Sequence, residues 1–333
     1  MAGNPLQKQK LLYLLDILLH KTDEDHPLNA TEICDELAKS EIKAERKSIY
    51  HDIRVLEDYG YEIISTRYPK TGFYMAGRDF ELAEVRLLMD AVQSAGFITQ
   101  KKTKELLVKL NRLVSDHQAI KLRNQVYIDS RVKNANEEIY YNIDHINTAI
   151  DEGKKISLKY RRLHMADIIN VEEKVKEMVI SPYALLWSSD HYYLVGNNEK
   201  YDNLIHMRLD RMKNVQVLSD QPLRPFSEVS PYKNFFDIAD YAKKSFNMFG
   251  GSVMTVELKC PSEIIEEVYD RFGSQIPIRS SGEDHFVFKT NAMLSEGLVS
   301  WITSFGTIEV LAPRELREMV CERIEGMKKI YQL

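Results

Sequence analysis

Apolar residues at the start of the chain recur at helical spacing. Leu11, Leu12, Leu14, Leu15, Ile17, Leu18 and Leu19 form one broad apolar face over residues 6–22. In the next run, ATEICDELAKS, Ile33 and Leu37 lie four apart. Asn29 before it, with Glu32 three positions on, fits an N-cap with its capping-box partner. A third helix, AERKSIYHDIRVLEDYG, stops at Gly60. Residues 62–66 and 73–76 then flank Pro-Lys-Thr-Gly, which predicts a hairpin. Residues 1–78 therefore read as three helices and a hairpin, the winged helix-turn-helix order.

The period stays helical through residues 79–135, predicted to be a helical linker. Leu82, Val85, Leu88, Met89 and Val92 form one stripe, and Leu106, Leu107, Leu110, Leu113 and Val114 another, with a break at Gly96. One more helix covers 137–150. From Lys155 the pattern changes to short strands: ISLKYRR, EMVISPYALLW, HYYLVG, NLIHMRLD and NVQVLS. Five short strands with tight polar breaks predict a small barrel within residues 136–220. Residues 221–250, with Pro222, Pro225 and Pro231, read as a linker carrying one short helix. Residues 251–333 alternate strand, helix, strand, strand, helix, strand, helix, which is the ferredoxin-like plan. The expected class is α+β and multidomain.

Within the predicted barrel, SPYALLWSSDHYYLVG pairs Trp187 with Tyr192, Leu186 with Tyr193 and Leu185 with Leu194. Both faces come out apolar, so Trp187 and Tyr193 are expected mainly as core. The flanking strands add polar chemistry. One ends in Tyr160, Arg161, Arg162 and His164, and another alternates Ile205, Met207 and Leu209 with His206 and Arg208 before Arg211. If these strands border the hairpin, Ser181, Tyr183, His206, Arg208 and Arg211 converge at one rim. Guanidinium groups beside hydroxyls and aromatic faces suit phosphate and base recognition. Arg211 could instead pair with Asp210.

Helical geometry sorts the third helix into two sides. Ile49, Ile53 and Leu56 share the core side, while Lys47, His51 and Arg54, with Tyr50 at the edge, face away. Cations and long donors on an outer face are what entry into a DNA groove requires. Residues 1–78 are slightly acidic, yet Arg67, Lys70 and Arg78 lie in the hairpin segment without an acid among them. Positive charge is thus sorted onto the two elements expected to touch DNA.

Bulk properties narrow the classes further. The chain has 333 residues, 44% hydrophobic and 29% charged, with net charge −5, so a wholly basic coat protein is excluded. Cys34, Cys260 and Cys321 lie far apart, which argues against a disulfide framework or a structural zinc site. The N-terminal MAGNPLQKQK lacks an apolar signal core, and LLYLLDILL is interrupted by Asp16. A cytoplasmic protein without a membrane span is expected. Phosphate-loop, dinucleotide, zinc-protease and nucleophile-elbow motifs are absent, so no enzyme, metal or cofactor is expected.

RKSIYHDIRVLEDYGYEII resembles the recognition helix and wing start of DeoR-like regulators, through Arg46, Ile49, Tyr50, Asp52, Ile53, Leu56 and Gly60, with Lys47 and Ser48 as mild replacements and His51 where that pattern has Arg. Residues 155–212 resemble a WYL domain, an Sm-like small β-barrel. The naming tripeptide is here Tyr192-Tyr193-Leu194, flanked by Ser181-Pro182-Tyr183 and Arg208-Leu209-Asp210-Arg211. Residues 295–331, with Trp301, Phe305-Gly306, Pro313, Leu316-Arg317 and Tyr331, resemble the C-terminal extension that follows such domains, the WCX domain.

The resemblance implies a bacterial transcriptional regulator, a homodimer on an inverted-repeat operator, responsive to a negatively charged, nucleotide-like or nucleic-acid ligand. Carried onto this chain, the DNA-contacting residues are Arg46, Lys47, Ser48, Tyr50, His51, Arg54, Arg67 and Lys70. The ligand-contacting residues are Tyr160, Ser181, Tyr183, Tyr193, His206, Arg208 and Arg211. The alternative is a nucleic-acid-sensing protein that modulates a partner protein rather than a promoter.

Overall fold

A computed structural model describes residues 5–125, 133–168, 170–230, 232 and 236–332. The chain divides into two compact units, Met1–Ala135 and Asn136–Leu333.

The first unit contains α1 (Pro5–Lys21), α2 (Ala30–Ala38), α3 (Arg46–Tyr59), β1 (Ile63–Thr66), β2 (Gly72–Met75), α4 (Leu82–Ser94), α5 (Gln100–Asn111) and α6 (Asp116–Gln125). Leu14 and Leu18 of α1, Ile33 and Leu37 of α2, and Ile49, Ile53 and Leu56 of α3 share one core, closed by Ile63 and Met75 of the hairpin. The expected capping box at α2 is present: Asn29 Oδ1 accepts from the N–H groups of Thr31 and Glu32, and Glu32 accepts from the Asn29 N–H at 2.8 Å. Gly60 ends α3 at φ +117°, a left-handed conformation that glycine adopts without steric cost. Gly72 has a different reason. A Cβ there would sit 2.7 Å from the Leu28 carbonyl carbon, because β2 lies directly against Leu28.

Two features of this unit differ from the sequence reading. The segment after Gly96 folds as α5 and α6 rather than a single helix; α6 is so polar that it carries no clear apolar stripe. Together α4, α5 and α6 enclose Val85, Met89, Val114, Ala119 and Leu122. Arg78, counted among the hairpin cations, is instead half-buried. Its guanidinium donates to the carbonyls of Leu19 (2.8 Å) and Thr22 (2.7 Å), satisfying the open end of α1. The turn after α1 is also tied to α6. Asp23 is 4% exposed and accepts from Ser115 Oγ, and His26 stacks on His117 at 3.8 Å. Burial pushes the Asp23 carboxyl up, but the hydrogen bonds from Ser115 and His26 outweigh it and hold the group below the usual range.

The second unit begins with α7 (Ile139–Asp151), followed by β3 (Lys154–Met165), β4 (Val171–Ser188), β5 (His191–Asn197), β6 (Ile205–Arg208) and β7 (Met212–Pro222). These strands form an antiparallel sheet in the order β6-β5-β4-β3-β7. Five strands laid flat would hold the outer two about 19 Å apart. Yet β6 and β7 are joined by a single 3₁₀ turn, Leu209–Arg211, whose extended reach is at most about 14 Å. The sheet therefore curls until its edges approach each other. The register expected for the β4–β5 hairpin is the one observed, with Leu185, Leu186 and Trp187 opposite Leu194, Tyr193 and Tyr192.

Next come α8 (Phe226–Val229) and α9 (Ile238–Lys244), where one short helix was expected. This stretch is more than a linker: Tyr241 and Met248 are buried against Ala184, Tyr193 and Val195, with Tyr232 and Phe236 packed around them. The remainder is β8 (Val253–Pro261), α10 (Ile265–Phe272), β9 (Ile278–Ser280), β10 (His285–Met293), α11 (Glu296–Phe305), β11 (Glu309–Ala312) and α12 (Arg314–Tyr331). Its sheet runs β11-β8-β10-β9, antiparallel throughout, over a core that includes Leu258, Phe288, Leu298, Ile302 and Leu316. Trp187 departs from the expected core role and is 49% exposed, since it lies at the hairpin tip beyond the aromatic cover. Among the described residues no helix is long and apolar enough to cross a membrane.

Gly297 opens α11 with no room for a side chain, because a Cβ would lie 2.2 Å from the Phe246 carbonyl oxygen. Gly297→Ala is expected to cost about 1–3 kcal/mol of stability through this clash. Urea unfolding of the two proteins measures the difference.

Candidate functional site

Two clusters carry the polar chemistry that the sequence singled out, one in each unit. On α3 the buried stripe Ile49, Ile53 and Leu56 fixes the rotation of the helix; Lys47, His51 and Arg54 are exposed on its other side, while Arg46 is exposed at the first turn, near the buried stripe. Tyr50 is 45% exposed and meets Phe73 of β2 edge-on, with ring centroids 5.7 Å apart. That contact couples the helix face to the hairpin. Arg67 is exposed on the hairpin.

Two of the expected contact residues are engaged within the unit. Ser48 Oγ accepts from Lys10 Nζ, and the same ammonium pairs with Asp52 at 2.7 Å. Residues 48 and 52 lie one turn apart, on the flank of α3 that leans on α1. Lys70 reaches back to Glu32 at 2.8 Å. Burial raises the Glu32 carboxyl, but Lys70 and the Asn29 N–H more than offset it and lower the group. Half-exposed pairs of this kind contribute little stability, so Lys70 is tethered rather than locked.

In the second unit the expected convergence splits into three places. Ser181 Oγ accepts from the Arg224 N–H at 2.9 Å, while the Tyr183 hydroxyl donates to the Arg224 carbonyl at 2.8 Å. Both side chains are spent on fastening the chain as it leaves β7. Burial pushes the Tyr183 hydroxyl up to about 12, so it stays a donor. His206 packs elsewhere. Its Nε2 lies 2.7 Å from the Tyr241 hydroxyl, under the aromatic cover of α9. Burial pulls its imidazole down to about 4, so it is neutral near pH 7.

The third place is the end of the curled sheet. Ser181 pairs with Asn197 and Arg208 with Tyr193, four residues apart along β5 and so about 13 Å apart along the strand. Register therefore separates Ser181 from the arginines, while the Tyr183 hydroxyl is bound to the Arg224 carbonyl. Around Arg208 the structure gathers Tyr160, Tyr193, Arg211 and His191. The Arg208 N–H donates to the Tyr160 hydroxyl at 3.2 Å, and Arg162 stands over the Tyr160 ring at 5.7 Å. Arg208 clasps Asp210 through Nε (3.0 Å) and Nη2 (2.7 Å), which raises its already high affinity for the proton. Arg208, not Arg211, thus takes Asp210, and Arg211 is exposed.

Residues 141–217 match the family model of the WYL domain, and residues 252–328 match that of the WCX domain. The chain carries a WYL domain followed by a WCX domain. Among solved structures, the chain is similar to proteasome accessory factor B/C (PafBC) of Arthrobacter aurescens, at 17% identity over 97% of this chain and 46% of that one, with TM-score 0.27. The chain thus spans under half the length of that relative. A CRISPR Cas-related protein is similar at 14% identity over 97% and 85%, with TM-score 0.37. No curated protein matches significantly.

The WYL domain also uses residues that pattern reading passed over. Asn136 Nδ2 donates to the carbonyls of Asp210 (3.2 Å) and Met212 (2.8 Å), and Asn142 Nδ2 donates to Met212 at 3.1 Å. Both asparagines are nearly fully buried, and together they clamp the turn that presents Arg208 and Arg211. The signal was present: Asn142 interrupts the buried stripe Ile139, Ile146 and Ala149, and a buried amide requires partners. His191 is a second addition. Burial first, and Arg208 second, hold its imidazole below the usual range. Among the described residues, no group of His, Cys, Asp or Glu is placed to hold a metal.

His206 generates a pH prediction. Its folded-state value of about 4 lies below the unfolded value of about 6.5, so the unfolded chain binds the extra proton between them. The stabilising contribution is complete above about pH 6.5 and is lost as pH falls toward 4. Thermal melts of His206→Asn against the parent protein across this window should show a shallower acid decline in the variant.

Proposed function

We propose that the chain is a DNA-binding transcriptional regulator acting in the cytoplasm, with a winged helix-turn-helix in its first unit and a ligand-sensing WYL domain in its second. The observation that carries this reading is the two-sidedness of α3: a fully packed stripe on one side and Lys47, His51 and Arg54 in solvent on the other. Such a helix presents long cationic donors at a fixed rotation, as insertion into a major groove requires. Tyr50 against Phe73 supports hairpin and helix acting as one surface. Arg67 supplies a backbone-contacting cation from the wing. A homodimer on an inverted repeat follows as the symmetry such a module uses. The curled five-stranded sheet supports an Sm-like barrel, and the order β11-β8-β10-β9 supports a ferredoxin-like WCX domain.

The sensor in this reading is the end of the sheet around Arg208, with Arg211, Tyr160, Tyr193 and His191. Its cations and aromatic rings suit an anionic ligand with a base or ring to stack, a nucleotide or oligonucleotide. Ser181, Tyr183 and His206 hold the scaffold rather than the ligand.

Footprinting on the DNA upstream of the protein's own coding region should show two protected half-sites one helical turn or a multiple apart. The double variant Lys47→Ala with Arg54→Ala should weaken binding and flatten the dependence of log affinity on log salt by about 2. Full DNA binding by that variant, together with loss of cellular activity in Arg208→Ala, would favour modulation of a partner protein. For the sensor, Arg211→Ala should weaken capture of a short single-stranded oligonucleotide by roughly tenfold. Fluorescence anisotropy reads that change.

A further inference from the structure

Strands β3 and β4 run on past the body of the curled sheet. Their ladder continues out to the pair Met165–Val171, and residues 162–168 and 170–177 are all exposed. The stretch is a two-stranded arm with solvent on both faces. An uncovered ribbon of two strands is marginally stable in water. Successive residues alternate between its faces. One face continues the buried side of β3, that of Ile156, Leu158 and Tyr160, and carries Arg162, Lys174 and Lys176 with one carboxylate, Glu172. The outer face is apolar. Leu163, Met165, Val171, Val175 and Val179 lie on it, each between 42% and 74% exposed. Five large apolar side chains in one projecting row form a contiguous patch, which on a folded protein marks a contact surface.

Charge, length and shape identify what covers it. The outer face carries two cations and two carboxylates, joined across the ladder as Lys159 with Glu177 and Arg161 with Glu173, both at 3.3 Å. A net-neutral face meets its own copy without repulsion. The opposite face, with three cations and one carboxylate, would repel its copy. From the pair Lys159–Glu177 at the base to Met165–Val171 near the tip is six residues, about 20 Å. At the base the outer face holds a concavity of about 470 Å³, lined in part by Ser157, Val179, Asn214 and Gln216. At the tip stands Ile168, 95% exposed, the most exposed large apolar side chain among the described residues. Two arms laid face to face and antiparallel bring each tip over the concavity of the other.

We propose that the outer face of this arm is an interface between two copies of the chain, related by a two-fold axis, with each tip seated at the base of the other arm. This names the interface of the homodimer inferred above and rests on that reading.

The test is sedimentation velocity of the full chain over a concentration series. Roughly a dozen residues per copy are covered, against about 20–30 in a standard interface, so a reversible dimer is expected. In Leu163→Lys with Val175→Glu, each new charge faces an opposite one across the ladder, Glu173 and Arg161, so the arm keeps its pairing and loses only its apolar face. This variant should raise the dimer dissociation constant roughly 100-fold. Lys174→Ala with Lys176→Ala, on the opposite face, should leave it unchanged. Oxidative cross-linking checks the direction of pairing. Ser157 and Met165 lie about 26 Å apart along one strand, too far for a disulfide within a chain. With the exposed Cys321 changed to Ser, Ser157→Cys together with Met165→Cys should give a covalent dimer, and neither substitution alone should.

A monomeric parent chain would overturn the proposal and assign the face to a different protein. An unchanged dissociation constant in Leu163→Lys with Val175→Glu, or no more cross-linking in the double cysteine variant than in the single ones, would also overturn it. DNA binding separates this interface from the reading on which it rests. The dimer-deficient variant should protect one half-site in place of two, with the salt dependence per half-site unchanged. A parent dimer that the variant dissociates, but that protects no DNA, would remove the regulator reading and leave the interface standing.

Discussion

A three-residue turn governs the geometry of the WYL domain. Leu209–Arg211 must join the two edge strands of a five-stranded sheet, and its short reach forces those edges together. Asn136 donates to the Asp210 carbonyl within the turn, and Asn136 and Asn142 both donate to the Met212 carbonyl where β7 begins. Both amides are buried, so their hydrogen bonds are made in a medium where losing one is costly. The clamp therefore holds the position of Arg208 and Arg211 more tightly than a solvent-exposed loop would. The arginine site is positioned by the same interactions that close the sheet.

A comparable economy operates in the first unit. The apolar stripe of α3 contributes to the core and, in doing so, sets which residues reach solvent. Ser48 and Asp52 fall on the flank toward α1 and are taken by Lys10. Lys47, His51 and Arg54 fall on the free side. The Arg78 guanidinium sits on the last carbonyls of α1, so a cation that reads as hairpin charge in sequence becomes part of a helix terminus. Position relative to the core decides the role of each cation in this unit, more than its place along the chain.

Periodicity made the helices and strands legible because each buries one face. The α3 stripe, the α2 capping box and the β4–β5 register were all readable from spacing. The failures share a cause. Residues 221–250 looked like a linker because prolines dominate the pattern, whereas Tyr232, Phe236 and Tyr241 fold over the sheet through contacts distant in sequence. The predicted meeting of Ser181 and Tyr183 with Arg208 failed for a related reason. Strand neighbours share a sheet, but the distance along the strand depends on register, and Ser181 pairs four residues away from the partner of Arg208. Alternation places side chains on faces; only the ladder places them along it.

The Arg208–Asp210 pair carries the last step. Bidentate and partly shielded from water, it already satisfies the guanidinium before any ligand arrives. In the proposed sensor reading, an anion would meet the exposed Arg211 first and reach Arg208 only by displacing the Asp210 carboxylate. A ligand that also stacked on the neighbouring aromatic rings would bring free energy that Asp210 cannot match. In the same reading, Asp210 would compete with an incoming anion for Arg208 and so favour one that also bears a ring. Because its own backbone carbonyl is held by Asn136, displacement of the carboxylate does not require the turn to unfold.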